Sequence, residues 1–286
     1  MMNRTHSFNG PEPMKFQGFQ PVKREGTFAS LNVKEEEKIA DLEVWDFIGD
    51  EWYGTTAKDM IAQIKDLPES IETINVLISS PGGYVWDAIE MYQALKNHPA
   101  NVVTEVNSIA ASAATIVFMA GDERKMGPHA DFMIHKPWTC LCGDADKFQE
   151  GIDQLNRDQA KLVGIYAEGT DQDEKTLNEL VNATTWMSAE EALDLGFATQ
   201  VNEEIKAAAC LFDLSQLNGV PEHHTRLAKA HAKRQKEQAE RDAGKSSKEA
   251  KKAVSSAVER DANNDGYESN NNDWQAVLTK VKQTEI

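Results

Sequence analysis

The sequence predicts an α/β fold with parallel strand pairings, and three observations predict it. Apolar runs rich in β-branched residues alternate with segments whose apolar positions recur at helical spacing. Strand-like runs are followed directly by helix-like ones, an order that calls for crossover connections between parallel strands. A glycine pair, Gly82-Gly83, closes one strand-like run at the point where the chain must turn into its helix.

The elements follow in order. Residues 1–38 are polar, carry Pro11, Pro13 and Pro21 and the charge run Lys34-Glu35-Glu36-Glu37-Lys38, and read as a flexible arm that orders only against something else. From Ala40 the pattern tightens. Leu42, Val44, Trp45, Phe47 and Ile48 suggest a strand, and Thr55 or Thr56 caps an amphipathic helix carrying Met60, Ile61, Ile64 and Leu67. The run 74–78 leads through Ser79-Ser80-Pro81-Gly82-Gly83 into a helix over about 85–96, with Ile89, Tyr92 and Leu95 on one face. The run 102–106 leads into Asn107-Ser108-Ile109-Ala110-Ala111-Ser112-Ala113-Ala114, which reads as the opening of an apolar helix ending near Gly121.

Lys125-Met126 and 132–134 read as short strands. A long polar-rich helix spans about 144–167, with Phe148, Ile152, Leu155, Leu162 and Ile165 in one apolar stripe, and a second follows over about 174–181. Ser188-Ala189-Glu190-Glu191 is a capping box, and Gly196 is the left-handed stop of the helix it starts. The main domain therefore covers 39–216. Residues 217–260 form a charged helical or coiled linker rich in Ala, Lys, Arg, Gln and Glu. Residues 261–286 join a flexible Asn/Asp-rich segment to a short amphipathic helix with Trp274, Val277, Leu278 and Val281.

The bulk properties narrow the function. The 286 residues hold one sizeable domain plus appendages, and the formal net charge of −17 argues against nucleic acid as a partner. Three cysteines (Cys140, Cys142 and Cys210) give no paired framework and read as reduced thiols; no metal and no cofactor is implied. Asp261-Ala262-Asn263-Asn264-Asp265-Gly266 matches the first half of a calcium loop. Asn272 and Glu268 then stand where a bidentate Glu and an apolar residue are wanted, so a polar linker fits better. No window approaches the about 20 apolar residues of a membrane span, and the N-terminus lacks the apolar core of a signal peptide; the expectation is a soluble intracellular protein.

The candidate chemistry is acyl transfer. A serine hydroxyl needs a base to take its proton and donors to stabilise the oxygen that becomes negative. Ser112, among alanines at a helix start, has unpaired backbone N–H groups beside it, and the Gly82-Gly83 turn can present another without a side chain in the way. His135, ahead of Pro137, is the best-placed base of the seven histidines, with a Ser–Lys arrangement through Lys136 or Lys125 as the alternative.

On four ordered motifs, residues from about 40 to 205 resemble the Clp-type serine proteases (ClpP), and more closely their phage relatives, the ClpP-like head maturation or prohead proteases. The motifs are Ser80-Pro81-Gly82-Gly83, Ala110-Ala111-Ser112-Ala113, Met133-Ile134-His135-Lys136-Pro137, and Trp186-Met187-Ser188-Ala189-Glu190-Glu191-Ala192 before Gly196-Phe197. The resemblance implies a ClpP/crotonase-like fold of repeated strand–strand–helix units, whose long helix after Asp144 is a protruding handle for packing into homo-oligomeric rings. It implies Ser112 as nucleophile, His135 as general base, and the N–H groups of Gly83 and Ala113 as oxyanion hole. The third triad position falls on Thr184, where the family carries an acid; a threonine hydroxyl, or the side chain of Asn182, can orient an imidazole but cannot balance its charge. The implied activity is a serine endopeptidase that cleaves capsid and scaffold proteins, and its own tail, during prohead assembly, in the cytoplasm of the host bacterium or inside the prohead. Two alternatives stand beside it: a housekeeping ClpP-type subunit served by a separate ATPase, since the chain carries no phosphate-binding loop of its own, and an inactive ClpP-like scaffold protein.

Overall fold

The computed structural model describes residues 30–49 and 54–202, together with residues 217, 219–221 and 241. Among the described residues, nine strands form one mixed sheet. Strand β1 (Leu31–Lys34) runs antiparallel to β2 (Ile39–Ile48), joined by a tight turn over Glu35–Glu37 that closes at Lys38 in the left-handed region, φ 57°. The expected arm over 1–38 is thus corrected at its end. Leu31 and Val33 alternate inward against the core, and the charge run is the tip of a hairpin rather than part of a loose tail.

Next come β3 (Gly54–Thr55), α1 (Ala57–Lys65), β4 (Thr73–Gly83), α2 (Val85–Lys96), β5 (Asn101–Ala111) and α3 (Ala113–Phe118). Thr56 caps α1, its hydroxyl accepting from the Asp59 N–H at 3.1 Å. After these lie β6 (Glu123–Met126), β7 (Asp131–Ile134), α4 (Ala145–Gly169), α5 (Glu174–Ala183), β8 (Thr185–Ser188), α6 (Ala189–Asp194) and β9 (Gln200–Val201). Strands β2, β4, β5, β6 and β9 pair in parallel along the main path, and both reciprocal bonds of the Ser188/Glu191 capping box start α6.

Two strands run further than the sequence pattern suggests. Strand β4 continues through the glycine pair, because Phe47 and Ile48 of β2 keep pairing with Gly82 and Gly83. Strand β5 continues to Ala111, so Asn107–Ala111 is strand where a helix was expected. Ser80 pairs with Ala110 on one side, and Ile109, Ala110 and Ala111 pair with Asp131, Phe132 and Met133 of β7 on the other. Ladder partners on both edges override the helical preference of the alanines. Beyond Met126 the sheet divides: β6 leaves β5 and β7 takes over its upper half, with β8 antiparallel to β7.

Strand alternation sends side chains to two faces. Ala110, Phe132, Ile134 and Met187 point into the main core with Phe118 and Phe197, whereas Ile109, Ala111, Met133 and Trp186 form a second cluster. Leu217 and Val220, on the far side of the domain boundary expected at 216, pack on that cluster. The charged linker, the Asn/Asp-rich segment, the terminal amphipathic helix, the calcium-like loop and Cys210 otherwise lie outside the described residues.

Candidate active site

Ser112 stands between the end of β5 and the start of α3. Its backbone takes φ 55° and ψ −126°, a combination L-residues rarely adopt and that costs about 1–3 kcal/mol. A sharp strand-to-helix turn of this kind throws a hydroxyl outward from the sheet edge. The turn is pinned at both ends: the Ser112 N–H donates to the Met133 carbonyl at 2.8 Å, and the Ser112 carbonyl accepts from the Thr115 N–H at 3.0 Å and the Thr115 hydroxyl at 2.6 Å.

Met133 lies on β7, two residues before His135, so the bond that holds the serine also sets the strand carrying the histidine. The result is a Ser112 Oγ to His135 Nε2 distance of 2.7 Å, across 23 positions of sequence. Burial alone pushes the imidazole pKa down to about 4, so the ring is neutral at pH 7 and its Nε2 can accept the serine proton.

The glycine turn sits directly against the serine. A Cβ on Gly82, at φ +102°, would lie 2.7 Å from both the Ala111 carbonyl and the Ser112 Cβ and 2.9 Å from the Ala113 nitrogen. One on Gly83, at φ +155°, would lie 2.1 Å from the Ile48 carbonyl. Neither place admits a side chain. The Tyr84 N–H donates to that Ile48 carbonyl at 2.9 Å. Ala113 opens α3, and its N–H is one of the first-turn groups that have no acceptor within the helix. Ser80, which is fully buried, steadies the turn: its hydroxyl donates to the Asp46 carbonyl at 2.6 Å and accepts from the Gly82 N–H at 3.1 Å. Asp46 makes this possible as a bulge residue at φ 61°, where the β2–β4 register shifts.

The Clp protease family model matches residues 40–205, from the second residue of β2 to just past β9. The chain belongs to the Clp protease family. Among similar curated proteins are three called ATP-dependent Clp protease proteolytic subunit. That of Leuconostoc citreum is 33% identical over 147 residues, covering 49% of this chain and 74% of the relative. That of Ligilactobacillus salivarius is 31% identical, covering 49% and 73%, and that of Streptococcus suis is 30% identical, covering 52% and 80%. With the Clp protease family comes its enzyme class, serine-type endopeptidase.

The β7–β8 ladder ends on the pair Ile134 and Thr185, one residue short of His135 on the β7 side and of Thr184 on the other. Thr184 caps α5 in the left-handed region, φ 56°, and among the described residues no carboxylate bonds to the imidazole. The Asn182 side chain, the other candidate orienter, instead accepts from Gln159 of α4 at 3.2 Å. Lys125 pairs with Glu123 at 2.9 Å on β6, and Lys136 is exposed, so it is the histidine that the fold brings to Ser112. Cys140 and Cys142 are exposed free thiols, and no cluster of potential metal ligands occurs among the described residues. Two features carry no signal of their role in the sequence, the hydroxyl bonds of Ser80 and the hydroxyl pair of Thr115 and Tyr166, 2.7 Å apart. Thr115 is signalled only by its place three residues after Ser112, and Tyr166 by nothing local.

Proposed function

We propose that the chain is a Clp-type proteolytic subunit in which Ser112 is the nucleophile, His135 the general base, and the N–H groups of Gly83 and Ala113 the oxyanion donors. The observation that carries this reading is the 2.7 Å contact between Ser112 Oγ and a desolvated, neutral His135. As Ser112 Oγ attacks the scissile carbonyl, its proton passes to His135 Nε2, and the carbonyl oxygen takes the negative charge between the two N–H groups. The imidazolium then gives that proton to the departing amine, leaving an acyl-enzyme. Water then attacks the acyl carbon and gives a proton to His135; as the carbon–Oγ bond breaks, the imidazolium returns that proton to Ser112 Oγ and the acid leaves. Thr184 takes the third position as an orienter of the ring without charge, which predicts turnover slower than an acid-containing triad allows.

Homo-oligomerisation belongs to the same reading, with the 25-residue helix α4 as the packing handle. Trp138, Phe148 and Ile152, all at least 49% exposed, leave the region of its first half apolar. The relatives' names carry ATP dependence, which here would come from a separate partner in the bacterial cytoplasm. No helix among the described residues is long and apolar enough to cross a membrane.

A second reading, cleavage of capsid and scaffold proteins and of its own tail during phage head assembly, rests on the sequence after residue 216: the Ala/Lys/Glu-rich stretch and terminal amphipathic segment suit a scaffold-like extension. Thr184 motivates the third, a ring protein without activity. One experiment separates them. The purified chain and its Ser112→Ala form are incubated alone and with an unfolded protein, then weighed by mass spectrometry. Wild-type-only cleavage of the added protein supports the proteolytic reading, and wild-type-only loss of the chain's own C-terminal region adds the second. Identical masses in every tube would leave only the inactive ring.

A further inference from the structure

Thr115 and Tyr166 form a buried hydroxyl pair 2.7 Å apart that links the long helix α4 to the turn holding Ser112. Thr115 is fully buried and Tyr166 is 2% exposed, so each hydroxyl depends on its protein partners for hydrogen bonds. The direction of the chain follows from counting protons. Thr115 Oγ1 donates its single hydrogen to the Ser112 carbonyl at 2.6 Å, so the Tyr166 hydroxyl must be the donor to Thr115. Such a relay polarises along its length, and the Thr115 hydroxyl is a better donor for being an acceptor.

The receiving carbonyl is that of the one residue between β5 and α3, held at φ 55° and ψ −126°. A backbone in that region persists only where its surroundings over-determine it. Helix α3 is six residues long and has few bonds of its own to give. The β-sheet side supplies the Met133 carbonyl to the Ser112 N–H; the Thr115–Tyr166 relay is the matching clamp on the other side. The Tyr166 ring is itself fixed edge-on against Phe197, 5.5 Å between centroids, so the donor comes from a rigid wall.

We infer that Thr115 and Tyr166 are positioning residues for the nucleophile: Tyr166, acting through Thr115, holds the Ser112 peptide in the strained turn that aims Oγ at His135. The inference rests on Ser112 being the nucleophile, as proposed above. It also makes the seating of α4 a condition for a productive serine, since Tyr166 moves with that helix.

The test uses the full chain and a fluorophosphonate probe, with kcat and KM on a fluorogenic peptide and a thermal melt for each variant. Thr115→Val and Tyr166→Phe each remove one hydroxyl and keep the shape. Labelling of Ser112 and kcat are expected to fall ~10- to 100-fold in each, with KM within about twofold of wild type, because aim and not substrate binding is lost. Thr115→Ser, which keeps the hydroxyl, restores labelling. The double variant is no slower than Thr115→Val alone, since Tyr166 acts through Thr115. Wild-type labelling rates in folded Tyr166→Phe and Thr115→Val would overturn the inference, as would a double variant slower by the product of the two single losses. Should Thr115→Val fail to fold, Tyr166→Phe against wild type decides the question alone, its ring contact with Phe197 being kept. Absence of labelling in the wild type, matching Ser112→Ala, would instead end the reading of Ser112 as nucleophile and this inference with it.

Discussion

The turn that holds Ser112 and the strand end that holds His135 are built in different ways. Ser112 is gripped by main-chain and hydroxyl bonds at both its N–H and its carbonyl, on a backbone that accepts strain, with a glycine turn pressed against it. Among the described residues, the imidazole of His135 has one hydrogen-bond partner, the serine itself, and burial sets its proton affinity. Precision is therefore concentrated on the nucleophile side, and the base side relies on desolvation where a carboxylate would otherwise hold and charge-balance the ring.

Breaking either side tests the comparison. The largest effect is expected from removing the pair: Ser112→Ala and His135→Ala should each lower peptide hydrolysis by ~10³- to 10⁶-fold, measured as initial rate, with melting temperatures close to wild type. Gly82→Ala comes next. Its Cβ would meet three atoms of the serine turn at 2.7–2.9 Å, at a φ that alanine resists, so labelling of Ser112 should fall ~10²-fold or more and the melting temperature should drop as well. Neither loss is expected if the glycine turn stands clear of the serine in solution.

The base side sharpens in the opposite direction. Thr184→Asp places a carboxylate next in sequence to the last β7–β8 pair, at the position that the family resemblance gives to the acid. Peptide hydrolysis should rise ~10-fold or more, bounded by the ~10⁴ that an acid contributes in a chymotrypsin-type triad. A fall would mean that another group already fills the role. The pH dependence follows with its sign. The base must be unprotonated, and burial holds its pKa at about 4, so wild-type labelling should be flat at neutral pH and decline only as pH drops through about 4. In Thr184→Asp the new negative charge favours the imidazolium, and the decline should begin at higher pH. The smallest effect belongs to the far face of the sheet. Leu217→Ala with Val220→Ala should lower the melting temperature by a few degrees, about 1–2 kcal/mol, by thinning the cover on Trp186 and Met133.

Much of the architecture could be read from the chain, because alternating strand and helix patterns, caps and the glycine pair are local signals. Thr56, Asp144, Asp173 and Ser188 all cap helices, and Gly196 ends one at φ 80°. The elements that depart from their local pattern depend on partners distant in sequence. Ala110 and Ala111 look helical by composition and are strand because β4 and β7 flank them. Leu31 and Val33 look like part of a polar arm and are strand because β2 pairs with them. In the site, Ser112, His135, Gly83 and Ala113 stand out from the sequence by motif, and the distances between their elements are supplied by the sheet. The Ser80 to Asp46 bond spans 34 positions and the Thr115 to Tyr166 bond 51, and no periodicity could have joined either pair.

The central claim is that a neutral His135 activates Ser112. The most direct measurement is the site and pH profile of fluorophosphonate labelling, mapped by peptide mass spectrometry in wild type and His135→Ala. The account predicts a single adduct on Ser112, constant from neutral pH down to about pH 5, halved near pH 4 and lost in the histidine variant. An adduct on another residue, or one on Ser112 that forms equally fast without the imidazole, would contradict it.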